Sequence, residues 1–327
     1  MNKLYASVTN VTNPINITIS ESHANSTSTA MVECISTSLS VGDSISVDLG
    51  YETDHDTIFT GFVKQVDRKV PNNTYTVTAN DVMTRAIDFF IASSNPDQPF
   101  SRSNIAAETL VQELMALAGL TDFQSDPTHF TLAVNSVAEV NLVSAYDYAN
   151  SIADLLAWHL YADETGTVQF IDRKPYVVGS DSPYKTLTTA TFLTLTPRLT
   201  EKDLRNRVVV YGSTGVYAEA KRATSYNPVT QAFEQILPSN YYKTAVAASP
   251  LITVTSLAQD AADYNLELYN RLLSSISATV IGDPSLRARK VVTVTDSITG
   301  INGDYYVYMA EHSWGNTGYT VNLDLRS

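Results

Sequence analysis

Apolar and polar residues alternate in short bursts at both ends of the chain. Near the start, Ile15-Asn16-Ile17-Thr18-Ile19 and Met31-Val32-Glu33-Cys34-Ile35 have the period of two expected of half-buried strands. Gly42-Asp43 marks a turn, and Ser44-Ile45-Ser46-Val47-Asp48-Leu49 alternates cleanly up to Gly50-Tyr51. A polar loop from Glu52 to Thr57 leads into Ile58-Phe59-Thr60-Gly61-Phe62-Val63. After a Pro71-Asn72-Asn73 turn, Thr74–Ala79 is the last strand of the group. Closely spaced strands with tight turns predict an antiparallel barrel or sandwich. Asn80 or Asp81 then caps a short helix, with Val82, Ala86, Ile87 and Phe90 on one face.

The middle changes character. Asn95–Pro99 reads as a linker, and Ser103 as the N-cap of a helix whose stripe is Ile105, Leu110, Leu114 and Leu117, stopped by Gly119. After a strand near Phe130–Val134, a second helix is predicted from about Ser144 to His159, with Tyr148, Ile152, Leu155, Leu156 and His159 in its stripe. Tyr161–Phe170 reads as a hairpin turning at Glu164–Gly166. Strands return from about Thr186, including Asn206–Gly212. A weakly patterned excursion follows from Ser213 to about Pro250, then a helix over Ser256–Ser274 with Ala261, Leu266, Tyr269 and Leu273 at apolar positions. Val291–Thr295, Tyr305–Met309 and Tyr319–Leu325 close the chain as strands.

The two ends resemble each other. Ser44–Leu49, a loop, Phe59–Val63, a polar turn and Asn73-Thr74-Tyr75-Thr76-Val77 stand against Lys290–Thr295, a loop with Gly300, Tyr305–Met309, a polar turn and Asn316-Thr317-Gly318-Tyr319-Thr320-Val321. Any two three-stranded meanders share some of this, but order and spacing together suggest a duplication. The expected architecture is mostly β, with two antiparallel β-barrels, a middle α+β module and a helical excursion. Its units are residues 1–94 (a first barrel and trailing helix), 95–185 (the α+β module) and 186–327 (a second barrel with an insertion at about 213–285).

Composition narrows function. The chain has 327 residues, 44% hydrophobic and 17% charged, with 21 Lys plus Arg against 34 Asp plus Glu for a formal charge of −13. Such a surface does not grip nucleic acid, which must be met by cations. It suits solubility, or a wall past which nucleic acid slides. Cys34 is the single cysteine, so no intrachain disulfide can form, and its β-prone surroundings predict a buried small hydrophobe. The start, MNKLYASVTN, lacks the apolar core of a secretion signal, and no stretch approaches a membrane span, which predicts synthesis in a cytoplasm.

Candidate chemistry is thin. His23, His55, His129, His159 and His312 offer no pair at helical metal-binding spacing. Asp54-His55-Asp56 falls in an expected hairpin loop, where solvation is the simpler reading. Gly212-Ser213-Thr214-Gly215 lacks the spacing of a nucleophile elbow. Trp158 and Trp314 read as core residues, and His159 as a satisfied residue on an apolar helix face. No residue is assigned a catalytic, cofactor-binding or metal-binding role, and no cofactor is expected. A glycan hydrolase would need two carboxylates a short fixed distance apart in a cleft, one with a raised pKa. A glycan-binding fibre would need long repetitive β-runs with exposed aromatics, which the sequence lacks.

One family resemblance is visible. Val41-Gly42-Asp43-Ser44-Ile45-Ser46-Val47-Asp48-Leu49-Gly50-Tyr51, followed by Ile58-Phe59-Thr60-Gly61-Phe62-Val63-Lys64-Gln65-Val66-Asp67, resembles the baseplate hub (tail hub) proteins of contractile-tailed phages. These include the Mu-type hub and the late-control-gene-D family. Asn80-Asp81 before a helix, His312 and the Tyr319–Leu325 strand are also similar. The resemblance implies tail-tube-like barrels and a homotrimer whose six barrels form a pseudo-sixfold ring. That ring would join the tail tube to the central spike and leave a bore for the genome. Implied partners are the spike, tube or tube-initiator proteins, the tape measure protein and wedge components, within a virion tail baseplate assembled in the host cytoplasm. Neither sequence-specific nucleic-acid binding nor a membrane span is implied. The hub of a phage-derived contractile injection system and a tail-associated lysin are the alternatives. The Gly-Asp turn of the first copy is echoed in the second only by Gly282-Asp283-Pro284, several residues farther from its strand.

Overall fold

The computed structural model describes residues 3–91, 100–128, 130–132, 143–156, 158–172, 182–230, 232–271 and 273–326. The alternating start becomes β1 (Leu4–Val8), β2 (Val11–Ser22), β3 (Thr29–Thr37), β4 (Ser44–Tyr51), β5 (Asp54–Lys69) and β6 (Thr74–Asp81), followed by helix α1 (Thr84–Asp88). Ile17, Ile19, Val32, Val47 and Val77 are fully buried in one core, as the period of two requires, and Cys34 is buried as well. Asp54-His55-Asp56 is in β5, paired to β4, rather than in a loop; the turn is shorter than expected and lies at Glu52-Thr53.

The middle segment holds β7 (Ile105–Ala106), α2 (Ala107–Leu117), β8 (Phe123–Ser125), β9 (Thr131–Leu132), α3 (Ala145–Leu156), β10 (Trp158–Ala162) and β11 (Val168–Asp172). Helix α2 starts four residues after Ser103, because Ile105-Ala106 is drawn into a ladder with β9. Gly119, at φ +79°, ends it in a Schellman turn: Leu120 N–H donates to Met115 O and Gly119 N–H to Ala116 O. At the start of α3 the Ser144 hydroxyl accepts the Asp147 N–H at 3.0 Å. This helix stops at Leu156, not His159. Trp158-His159-Leu160-Tyr161-Ala162 alternates buried and half-buried positions and pairs with β11, so His159 belongs to a strand. The hairpin turn is tied by the Asp163 carboxylate, which accepts the N–H groups of Thr165 and Thr167. The expected linker Asn95–Pro99, His129 and the end of the Phe130–Val134 strand lie outside the described residues.

The chain continues through β12 (Lys185–Thr188), β13 (Phe192–Thr200), β14 (Arg207–Tyr211), β15 (Tyr217–Lys221), β16 (Ser225–Asn227), β17 (Ala232–Glu234), β18 (Thr244–Ala248), α4 (Thr255–Tyr269), β19 (Leu273–Ile281), β20 (Val291–Asp296), β21 (Ile301–Gly315) and β22 (Gly318–Arg326). Two elements differ from expectation. Strand β14 joins a separate three-stranded sheet with β15 and β18, and α4 packs on it. The expected helix ends at Tyr269, and Leu273 opens β19, which lies in the main sheet rather than in the excursion.

That main sheet has twelve strands. One half runs β1-β4-β5-β6-β3-β2 and the other β12-β20-β21-β22-β19-β13, the same permutation of six strands once β14–β18 are set aside. An antiparallel ladder between β2 and β21, from Asn16↔Gly315 to Ser22↔Met309, fuses the halves. No closed barrel is present among the described residues. The outermost strands also differ in direction, since β1 is antiparallel to β4 whereas β12 is parallel to β20.

Local irregularities align the halves residue by residue. Val63 bonds back to the turn before β4, accepting Gly42 N–H and donating to Asp43 O. Val307 does the same with Arg289 N–H and Lys290 O. Gly42 and Arg289 both have positive φ, +95° and +67°. A β-bulge follows each clamp, at Val63/Gln65 and Val307/Met309, and another sits at Pro14/Asn16 and Phe192/Thr194. The turn equivalent to Gly42-Asp43 is therefore Arg289-Lys290. Gly282 instead allows a close approach, since a Cβ there would lie 2.2 Å from the Tyr319 ring. Val77 aligns with Leu323, two residues away from the sequence match to Val321.

Gly61 lies where β4 and β6 both flank β5, and a methyl group there would sit 2.1 Å from the Asn80 carbonyl oxygen. Gly61→Ala is expected to destabilise the protein by about 1–3 kcal/mol through overpacking. Urea denaturation checks this, and an unchanged midpoint would contradict so close an approach of β5 and β6.

Candidate functional site

A charged interior region lies where the two halves meet the β10–β11 hairpin. The end of β2, the middle of β5, the end of β6, the hairpin and the segment Arg287–Lys290 surround a cavity of about 270 Å³. Arg287 is only 6% exposed. Its Nη2 donates to Thr57 O at 3.0 Å and its Nη1 to the carbonyls of Leu286 and Pro284. Its Nε lies 3.8 Å from a carboxylate oxygen of buried Glu21, an ion pair too long for a hydrogen bond. The other Glu21 oxygen accepts Ala288 N–H at 3.2 Å. Arg289 donates to Ser22 O at 2.8 Å and lies over the Tyr161 ring at 4.4 Å, tying the hairpin to the halves' junction.

Burial dominates the electrostatics. It pushes Glu21 up to about 7, against the opposing pull of Arg287, Arg289 and the Ala288 N–H. Asp81 is likewise pushed up to about 6, although it accepts the N–H groups of Ser28 at 2.6 Å and Met83 at 3.0 Å. Nearby, His312 is fully buried and burial lowers its pKa to about 3, so it is neutral. Its Nε2 faces Leu286 O at 2.8 Å and must donate. Its Nδ1, 2.7 Å from the Tyr319 hydroxyl, then accepts. His23 pairs with the Tyr306 hydroxyl at 2.9 Å and meets His159 edge-on, with ring centroids 4.7 Å apart.

A YQBQ-like family model matches residues 253–326. No curated protein matches the sequence. Among solved structures, a tail protein from Neisseria meningitidis MC58 is similar with a TM-score of 0.71 and 11% identity, covering 99% of this chain and 97% of its own. The 43 kDa tail protein of prophage MuSo2 from Shewanella oneidensis gives 0.69 and 12%, with the same coverage of 99% and 97%. An E. coli component of the type VI secretion system, itself structurally similar to T4 bacteriophage tail proteins gp27 and gp5, gives 0.54 and 8%, covering 98% of this chain and 76% of its own. The fold is that of phage tail proteins.

Within this tail-protein fold the sequence candidates are scattered. His55 stacks on Tyr5 at 4.0 Å beside exposed Asp54 and Asp56. Trp158 is buried against Phe170, and Trp314 packs half-buried on the main core. Gly212–Gly215 is the turn between β14 and β15. Among the described residues no group of three or more His, Cys, Asp or Glu is arranged to hold a metal, and no helix is long and apolar enough to cross a membrane. The charged cluster was not anticipated. Its one sequence signal is Arg287-Ala288-Arg289-Lys290, a dense basic run in a chain with 21 Lys plus Arg.

Glu21 and Asp81 are two carboxyls with raised pKa lining one cavity, which invites comparison with a glycosidase pair. However, both Asp81 oxygens accept backbone N–H groups, and Glu21 is held by Ala288 and Arg287. The cavity is also below the roughly 300–1,000 Å³ usual for ligand sites. These contacts suit the cluster to pinning the end of β2, the end of β6, the start of β3 and the Arg287–Ala288 segment together.

A carboxyl with a higher pKa when folded holds more protons in the native state. Between 4.5 and about 7, Glu21 therefore lowers stability as pH rises. His312 acts in the opposite direction between about 3 and 6.5, where burial makes stability rise with pH. Glu21→Gln, neutral throughout, is expected to gain melting temperature relative to wild type as pH rises from 4.5 to 8. A pH-independent difference between the two proteins would exclude this role for the Glu21 charge.

Proposed function

We propose that this chain is the structural baseplate hub of a contractile phage tail. Three copies form a pseudo-sixfold ring that joins the tail tube to the central spike and leaves a bore for the genome. The observation carrying this reading is the duplicated six-strand permutation with coincident bulges and clamps, in a chain whose fold matches tail proteins over nearly its whole length. Two equivalent units per chain let three subunits present six equivalent surfaces to a sixfold tube. The role is mechanical and non-enzymatic. Partners are the spike, tube or tube-initiator proteins, the tape measure protein and wedge components, within a virion assembled in the host cytoplasm.

The proposed units are residues 1–94, the 95–185 module and 186–327, the last interrupted by the excursion that carries β14–β18 and α4; the module and the excursion have cores of their own, whereas one core runs through both strand sets and Val82–Ile91 packs with the module. The likeness to the E. coli secretion component supports a second reading, the hub of a phage-derived contractile injection system. The chain's charge of −13 supports a bore wall richer in Asp and Glu than in Lys and Arg, past which nucleic acid slides without adhering.

Native mass spectrometry of the purified chain is expected to give a trimer, and negative-stain images a ring. A monomer that persists at micromolar concentration with no ring in the images would refute the hub assignment. Peptidoglycan turnover abolished by Glu21→Gln or Asp81→Asn would replace it with an enzyme.

A further inference from the structure

The in-chain joint between the halves shows how one strand set receives another. Strand β21 is paired with β20 over Ile301–Tyr306, and beyond the Val307 clamp the same edge is taken by β2. Strand β5 is built alike. It pairs with β4 up to Phe62, is clamped at Val63, and from Lys64 to Lys69 this edge pairs with no described strand. The counterpart of β2 is β13, which pairs with β19 on one edge and with no described strand on the other. Each half thus carries the same donor strand and the same receiving edge, and the in-chain joint uses one of each. One donor and one receiver are left over.

We propose that the outer edge of β13 in one copy pairs antiparallel with Lys64–Lys69 of β5 in a second copy, as β2 pairs with β21. This rests on the hub reading and specifies its subunit joint. The aligned bulges fix the register. Ile17 corresponds to Leu195 and Ala310 to Val66, so the ladder Ile17↔Trp314 to Ser22↔Met309 predicts Arg198 opposite Asp67, Leu199 opposite Val66 and Thr200 opposite Gln65.

The side chains fit that register. Arg198 meets the acidic residue of an otherwise basic stretch, Lys64, Arg68 and Lys69 being its neighbours. Leu199 is 49% exposed and Val66 half-buried, whereas their counterparts in the occupied joint, Glu21 and Ala310, are 8% and 0% exposed. In the in-chain joint His23 N–H donates to Tyr308 O, so the odd-numbered residues of β2 are the hydrogen-bonding ones. Their counterparts in β13 are Leu195, Pro197 and Leu199. Pro197 withholds one donor from the ladder, which also guards the edge against indiscriminate pairing. Because donor and receiver are different surfaces, the contact is head-to-tail, the kind that builds a ring when the rotation between copies closes.

The test joins Thr200→Cys with Gln65→Cys in the full chain, a pair placed at a non-hydrogen-bonding position where side chains approach closely. Native Cys34 is buried and stays in every variant. Mild oxidation is expected to give covalent dimers and trimers in the double variant, while each single variant remains monomeric on a non-reducing gel. Arg198→Glu is expected to raise the concentration needed for assembly roughly tenfold or more by setting two acidic groups face to face, and adding Asp67→Lys to restore it. A trimer that forms but neither cross-links at this pair nor responds to the charge swap would overturn the joint and leave the hub reading intact. A chain that never assembles would overturn both.

Discussion

The antiparallel ladder between β2 and β21 is the constraint on which the rest of the molecule depends. It joins strands separated by nearly the full chain, so the entropy of closing a very long loop must be offset before that joint repays anything. The repayment comes in one place. Ile17 and Ile19 enter the main core opposite Trp314 and His312, and the charged cluster forms just beyond them. There Arg287 and Arg289 bind carbonyls at Thr57 and Ser22 in the first half, while Arg289 also covers Tyr161 of the middle module.

Burying such charge is expensive, and an ion pair alone rarely recovers the cost. The cluster meets it with hydrogen bonds to backbone more than with opposite charges. Arg287 donates from both terminal nitrogens to carbonyls, and both Asp81 oxygens accept amides. Groups used in this way specify which loops lie together rather than how tightly. Arg287-Ala288-Arg289 lies in the second half alone; the corresponding turn in the first half is Ser40-Val41-Gly42.

Much of the β architecture was legible because the two-residue period holds along each stretch of strand between bulges. Ile45, Val47 and Leu49 face the core whatever the register of their neighbours. For the same reason the alignment of the halves was not legible. Matching Val77 to Val321 rather than Leu323 is an error of two residues, which returns each side chain to the correct face. Bulges and the Val63 and Val307 clamps distinguish the two, and they are backbone features without a residue signature, since Gly42 has Arg289 as its counterpart. His159 was misplaced because apolar residues run on past Leu156, and a helical stripe blends into the alternation of Trp158, Leu160 and Ala162. The cluster escaped for another reason: Glu21 and Arg287 are brought together only by the β2–β21 ladder.

The differences between the halves follow from what each edge has to do. In the first half the link between its second and third strands is short, His23 to Ser28, because the end of β2 is committed to β21 and to the arginine cluster. In the second half the equivalent link, from Thr200 to Leu273, holds a three-stranded sheet and α4 with a core of their own. An insertion of that size is tolerated where closing the loop costs little more as it lengthens. The strand leading into it also differs from its counterpart in the first half. Strand β13 is that strand, paired on one edge alone among the described residues. The excursion thus follows the strand that the chain leaves at the end of its sheet among the described residues: the donor strand of the first half is paired within the chain, and that of the second half is not.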